Sequence, residues 1–526
     1  MTEQVTTSRR LVYNTFFNVA MLVSNAVVAF LLIRFFVGRL GEERYGVWVL
    51  IGSIFRYRMI LSMGLNSAID RRIPMYLAKD DRQGIQRIVS TALVFYSCVA
   101  AVLVVLSLLL CARVGEWFAI PPELVRVASV LVLVVGLGFA ASTPLQLSTA
   151  VLGGLQRYDL IGWVPLVLLV LRTTTLVVLL LRGYGLLTLG LIYGLSEVVA
   201  RGTQFLFTRR LLPHLAISWR SVDRTLLREM LFYGMNTFLY AIGALIVYRA
   251  SETIIGIFLG TREVARFSIA AAGSLLLSQF VQAFTAAIKP AVSDLDARDD
   301  QVRVKMVAFL TQKYSLLVIL PAAVFLAVMG KEFLTVWMAE KLPDPTVIRS
   351  MATVLAILTA GHAVMLAQHS NFLVLAGRGE HKAFGLLTAV EAVLCVVGAI
   401  LAVSVLGWGL VGVAWSNFVP VAMVAGVILP IYFHRKMRIS GWESLRYIWW
   451  PALRGTLPGI ILIIVWKFAA PPDSWWDLFA VVIVTAAATL VAAWFLSMEV
   501  SERQRFRFVL GRHGGGPIAE SGDLSP

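Results

Sequence analysis

The chain of 526 residues reads as an all-α polytopic membrane protein of about 14 transmembrane helices: two six-helix pseudo-repeats followed by two further helices. Three observations predict this. The chain is 59% hydrophobic and only 14% charged, where soluble proteins run near 25% charged, and its mean hydropathy is +0.82. Apolar runs long enough to cross a bilayer recur from end to end. Short motifs also reappear in one order in the two parts of the chain. Lipid leaves no partner for unpaired backbone groups, so the spans are helices.

Fourteen segments qualify in order: 11–37, 46–70, 88–111, 124–149, 159–181, 186–208, 228–256, 263–290, 306–329, 347–374, 383–406, 409–433, 455–470 and 478–498. Segment 1 is too long for the core of a cleavable signal peptide and lacks a small-residue cleavage site, so it reads as a span. An even number places both termini on one side. Basic residues select that side: Arg9 and Arg10 before segment 1, Arg71, Arg72, Lys79, Arg82 and Arg87 after segment 2, and Arg209 to Arg228 after segment 6. Arg435, Lys436, Arg438, Arg446 and Arg454 follow segment 12, and Arg503 to Arg512 occupy the tail. By the positive-inside rule these loops and both termini are cytoplasmic, in the plasma (inner) membrane. The net charge of +16 is then topology signal and attraction to anionic headgroups. Basic residues spread over short loops exclude nucleic acid as a partner class. Cys98, Cys111 and Cys395 fall in apolar segments and read as small buried residues, with no metal or redox role.

The repeat fixes the architecture. Leu40-Gly41 recurs as Leu259-Gly260, Ala68-Ile69 as Ala287-Ile288 and Asp80-Asp81 as Asp299-Asp300, each 219 residues on. "VLGGLQRY" (151–158) returns as "VLAGRGEH" (374–381) at 223, and "GYGL" (183–186) as "GWGL" (407–410) at 224. The expected organisation is a first six-helix lobe (1–208), a basic cytoplasmic linker (209–227), a second lobe (228–434), two additional helices (435–498) and a disordered cytoplasmic tail (499–526). A six-helix unit keeps its orientation, so the halves are related by an axis along the membrane normal. Transporters so built hold substrate between the halves near the midplane.

That cavity is where the unusual charges are expected. Arg34 lies toward the outer end of segment 1, Arg56 and Arg58 near the middle of segment 2, and Arg172 in the middle of segment 5. Arg249 lies in the outer part of segment 7 and Arg266 begins segment 8. The acids among them are few: Asp70, Glu197, Glu252 and Glu391. A residue two positions on leaves a helix about 200° away, so Arg56 and Arg58 take opposite faces. Arg58 heads a polar stripe with Ser62, Asn66 and Asp70, and is the expected cavity residue. Arg56 is expected to approach a neighbouring helix or to snorkel. Glu197 with Arg201, and Arg249 with Glu252, have the spacing of intrahelical pairs. Guanidinium binds phosphate bidentately and never deprotonates, so an arginine-lined cavity suits a polyanionic headgroup and suits a cationic drug badly.

The motifs "LGEERYGVW" (40–48), "GLNSAI" (64–69), "GLQRYD" (154–159) and "FLTVWM" (333–338), in this order and spacing, resemble the Wzx-type polysaccharide flippases of the multidrug/oligosaccharidyl-lipid/polysaccharide exporter superfamily. The resemblance runs from about residue 11 to 434. It implies a V-shaped bundle of two six-helix lobes with alternating access. It implies a polyprenyl-diphosphate-linked oligosaccharide as substrate, flipped to the outer leaflet for cell-surface polysaccharide synthesis. It further implies membrane lipids, a polysaccharide polymerase and export machinery as partners. Arg34, Arg58, Arg249 and Arg266 match by helix the arginines that related lipid flippases place near the central cavity. Glu252 and Glu391 are the candidate ion-coupling acids. A multidrug exporter of the same superfamily is the nearest alternative. A membrane glycosyltransferase or polymerase is a weaker one, because the outward loops are short and no nucleophile–base constellation or nucleotide-binding glycine loop appears. No enzymatic activity and no cofactor are expected.

Overall fold

The structure is a computed structural model that describes residues 24–25, 27–61, 65–213, 217–285 and 288–504. Among the described residues every regular element is helical. The signal-peptide reading and most of the tail lie outside them.

In the first half, α1 covers 24–40, α2 is Glu42–Arg56 and α3 is Leu65–Ala78. Next come α4 (Arg82–Trp117), α5 (Pro122–Ser142), α6 (Leu147–Gly154), α7 (Tyr158–Leu181) and α8 (Leu186–Leu211). The second half holds α9 (Arg224–Phe258), α10 (Thr261–Thr285), α11 (Ile288–Ala297), α12 (Gln301–Val328) and α13 (Gly330–Met338). It continues with α14 (Pro345–Ala367), α15 (His369–Gly377), α16 (His381–Ser404), α17 (Gly409–Met423) and α18 (Leu429–Met437). Last are α19 (Trp450–Ala469) and α20 (Trp475–Ala492).

Side-chain caps set many of the helix starts. Asp81, Asp223, Asp300 and Asp344 each accept a hydrogen bond from a backbone N–H in the first turn that follows. All fourteen expected segments overlap helix. Ten helices are long and apolar enough to cross a membrane by themselves, or eleven if the bent pair Glu42–Leu61 and Leu65–Ala78 is one span. The count of fourteen therefore remains an expectation. The shortfall has a cause in charge: α8 carries Glu197 and Arg201, and α10 carries Arg262, Glu263 and Arg266. Cys98 corrects the sequence reading, because it is exposed on α4.

Backbone geometry repeats with the sequence. Of the ten positive-φ positions among the described residues, eight form pairs across the halves: Gly41 with Gly260, Asp80 with Asp299, Gln156 with Gly379 and Gly183 with Gly407. These are the quoted motif positions, and each turn needs a left-handed residue that Gly, and less readily Asp, supplies. The helix breaks repeat too. Segment 4 breaks at Pro144–Gln146 and segment 10 at Gln368, positions related by the same offset (368 − 145 = 223). Proline at the first break cannot donate an N–H and constrains the residue before it. At the second, Gln312 Nε2 donates to the Ala367 carbonyl over 3.1 Å, satisfying a group the break frees.

The largest core cluster joins both halves, with Leu50 and Ile51 of α2, Val264 and Ile269 of α10, and Trp337 of α13. Phe30 stacks on Trp337 with ring centroids 4.2 Å apart, which seats α1 on α13. Gly46 lies so close to α10 that a Cβ there would sit 1.8 Å from the Thr261 carbonyl oxygen. Ion pairs flank this contact: Arg266 Nε to Glu42 at 2.8 Å, and Arg262 to Glu43. Glu43 and Arg262 are themselves repeat-equivalent, 219 residues apart. The linker is held by α4, whose Gln86, Ser90 and Thr91 bond Ser221, Ser218 and Asp223.

Candidate functional site

The arginines divide into two groups. Arg58 follows the turn at Tyr57 that ends α2. Its guanidinium covers the Phe139 ring at 4.0 Å and stands 3.9 Å from Glu197 Oε2 on α8. That is an ion pair too long to be a hydrogen bond. Arg201, one turn along α8, is also 3.9 Å from Glu197. Its Nη1 donates to Thr149 Oγ1 over 2.7 Å and to Gln204 Oε1 over 3.2 Å. Arg172 of α7 covers the Tyr193 ring at 4.6 Å, and Tyr193 packs edge-on to Phe139 and Trp48. Three guanidiniums on α7, α8 and the end of segment 2 thus gather about two aromatic rings and one carboxylate. Two buried polar groups near them, Gln204 Nε2 and Ser148 Oγ, have no hydrogen-bond partner.

Arg249 of α9 pairs with Glu252 at 3.3 Å. Glu252 is 4% exposed, and its second oxygen has no hydrogen-bond partner. Arg56 is exposed and close enough to Arg249 to interact electrostatically. Glu391 of α16 is 5% exposed. It lines a cavity of about 270 Å³ at the break in segment 10, with Tyr240, Gln282, Gln368, His369 and Thr388.

Other expected residues are engaged elsewhere. Arg34 pairs with Glu340 at 2.6 Å and donates to the Val336 carbonyl over 3.4 Å. Lys341 and Arg34 together hold the Glu340 carboxyl below its usual range. The pair is therefore intact at neutral pH and is lost only as pH falls through that lowered value. Arg266 bonds Glu42 and Glu263 at 2.8 and 2.7 Å, at the contact between α2 and α10. The polar stripe below Arg58 turns inward: Asn66 accepts from Tyr96 Oη over 2.6 Å, and Asp70 lies against Gly153. Ser62 falls outside the described residues. The bend between α2 and α3 separates Arg58 from that stripe.

Sequence reasoning treated Arg201 as the structural partner of Glu197. In the fold Glu197 is shared with Arg58, and Arg201 joins the cluster. The i,i+4 spacing showed the pair, but nothing local showed that Arg58 reaches the same carboxylate.

Residues 31–344 match the profile of the family described as "Polysaccharide biosynthesis protein". The chain belongs to this family. Its fold is that of solved transporters. It matches the lipid II flippase MurJ in an inward closed conformation with a TM-score of 0.70 at 14% identity, over 94% of this chain and 100% of that one. It matches an inward-facing multidrug resistance MATE family transporter of the MOP superfamily with a TM-score of 0.60 at 17% identity, over 81% and 94%. It also matches a MOP superfamily transporter from Pyrococcus furiosus with a TM-score of 0.55 at 15% identity, over 81% and 95%. At these identities the likeness is one of fold. No curated protein matches by sequence. An all-helical chain of the polysaccharide biosynthesis family, with ten or more apolar spans, is a multi-pass membrane protein.

Proposed function

We propose that the chain flips a polyprenyl-diphosphate-linked oligosaccharide from the cytoplasmic to the outer leaflet by alternating access, for cell-surface polysaccharide synthesis. Family membership and a fold shared with a lipid II flippase support this reading. One observation carries it: Arg58, Arg172 and Arg201 gather about the single carboxylate of Glu197 in the membrane-spanning part of the first half. Each cation costs about 2.5–3.5 kcal/mol at a helix centre, and one carboxylate cannot balance three. A diphosphate offers the balancing charge and the bidentate geometry that guanidinium favours. Arg56 and Arg249 extend this cationic set into the second half. Arg34 and Arg266 hold the halves and outer loops together. The protein resides in the inner membrane with both termini cytoplasmic, its lobes divide at the linker 209–227, and α19 and α20 widen a groove for the polyprenyl tail.

The test is flipping of lipid-linked oligosaccharide in proteoliposomes. Arg58→Ala is expected to slow flipping at least about ten-fold, or ~1.4 kcal/mol, and to leave an uncharged lipid control unchanged. Normal flipping by a folded variant would return Arg58 to a structural role. A wild type that flips nothing but exports cationic drugs would favour the exporter reading.

Glu391 is the better coupling acid, because it faces a cavity while Glu252 is committed to Arg249. Glu391→Gln is expected to abolish the response of flipping to an imposed proton or sodium gradient. A variant with the wild-type response would remove Glu391 from coupling.

A further inference from the structure

A second cationic cavity lies at the inner end of α3, away from the arginine cluster. It has a volume of about 310 Å³ and is lined by Ala68, Arg71, Arg72, Met75, Tyr76 and Lys79. That is within the range of small-ligand pockets. Three of the six lining residues are cations, and none is a carboxylate. The carboxylate nearest by contact, Glu229 of α9, reaches Arg72 at 2.7 Å.

Arg71, Met75 and Lys79 are spaced four apart and share one helix face. All three are exposed, and Met75 is 50% so. Cations on either side of an exposed apolar side chain mark the boundary between hydrocarbon and headgroups. At that depth the abundant anion is a lipid phosphate. The position relative to Arg58 gives the cavity a use. Arg71 is thirteen residues further along the same segment, roughly 20 Å of helix at 1.5 Å per residue. A 45° bend lies between them.

We propose that this cavity captures the phosphate group of a lipid in the cytoplasmic leaflet, held by Arg71 and Lys79 with the Tyr76 hydroxyl as a further donor. Resting on the flippase reading, the site is the first stop of the cargo headgroup before it advances to Arg58. The same chemistry would accept an ordinary anionic phospholipid, and the experiment separates the two sources.

The full chain is placed in phosphatidylcholine nanodiscs in the Arg58→Ala background, which weakens the inner site. Polyprenyl diphosphate without sugar is the probe, and phosphatidylglycerol is the competitor. Arg71→Gln with Lys79→Gln is expected to weaken probe binding about ten-fold, the loss of one charge-assisted contact. The charge-keeping pair Arg71→Lys with Lys79→Arg is expected to retain binding, which separates charge from folding. Equal competition by phosphatidylglycerol would assign the cavity to lipid phosphate in general; failure to compete would assign it to the diphosphate. Unchanged binding in the glutamine pair would overturn the inference and leave these cations as topology signals. So would a wild type that binds the probe when the Arg58→Ala chain does not. A wild type that binds here but never flips lipid-linked oligosaccharide would defeat the flippase reading and leave this site standing.

Discussion

Replacing Lys313 with Ala is expected to destabilise the protein by about 3–5 kcal/mol, the cost of removing one partner of a buried ion pair. The Lys313 side chain is 4% exposed, and its ammonium holds both Glu502 oxygens, at 2.6 and 2.8 Å. It is also 3.5 Å from the Ser497 carbonyl oxygen. Removing the lysine leaves a carboxylate in a site built for its cation. The pair also ties the end of the chain to α12, so the loss should concentrate in α19 and α20. These helices pack on α12 and on each other through Gly455 and Gly459, where a Cβ would meet Ser497 Oγ at 2.1 Å and Thr489 Oγ1 at 2.2 Å. Thermal unfolding in detergent with hydrogen exchange on α20 is the check. The double change Lys313→Met with Glu502→Leu should recover most of the loss, because apolar replacement of a whole buried pair is often neutral. Equal loss in the double and single variants would show that shape at this site matters more than charge.

Gly46→Ala is expected to cost about 1–3 kcal/mol, the range for overpacking a tight contact. The added Cβ would meet a backbone carbonyl, which cannot rotate away as a side chain does. The helices α2 and α10 must part for it to fit. They come from different halves and are tied there by Arg266–Glu42 and Arg262–Glu43. The variant should therefore melt lower, and a spin-label pair on α2 and α10 should report a wider distance. Gly52→Ala on the same helix meets nothing within 4 Å and serves as the matched control. A Gly46→Ala protein with the melting point and label distance of the control would show that the contact is looser than its geometry.

Much of this architecture was legible along the chain because it rests on local causes. Apolar length makes a span, an aspartate makes a helix start, and a glycine makes a left-handed turn. The turns at Gly41 and Gly260, and at Asp80 and Asp299, recur at the separation that the motifs alone had announced. The charge of the candidate site was legible as well, since an arginine in an apolar segment needs a reason wherever it points. Its membership was not. Arg34 and Arg266 looked like Arg58 in sequence, yet one is held by Glu340 and the other by Glu42 and Glu263.

The difference lies in the range of the forces. Hydropathy, helix period and turn chemistry act between neighbours in the chain, so the sequence by itself determined an all-helical, internally repeated membrane protein with an excess of intramembrane cations. Which carboxylate answers which arginine depends on groups brought together from far along the chain. Arg58 and Glu197 are 139 residues apart (197 − 58), and Arg34 and Glu340 are 306 apart. Helix packing and the bend between α2 and α3 set those meetings. Only the tertiary structure decided that Arg201 joins Arg58, that Glu391 faces a cavity, and that Lys313 ties the end of the chain to α12.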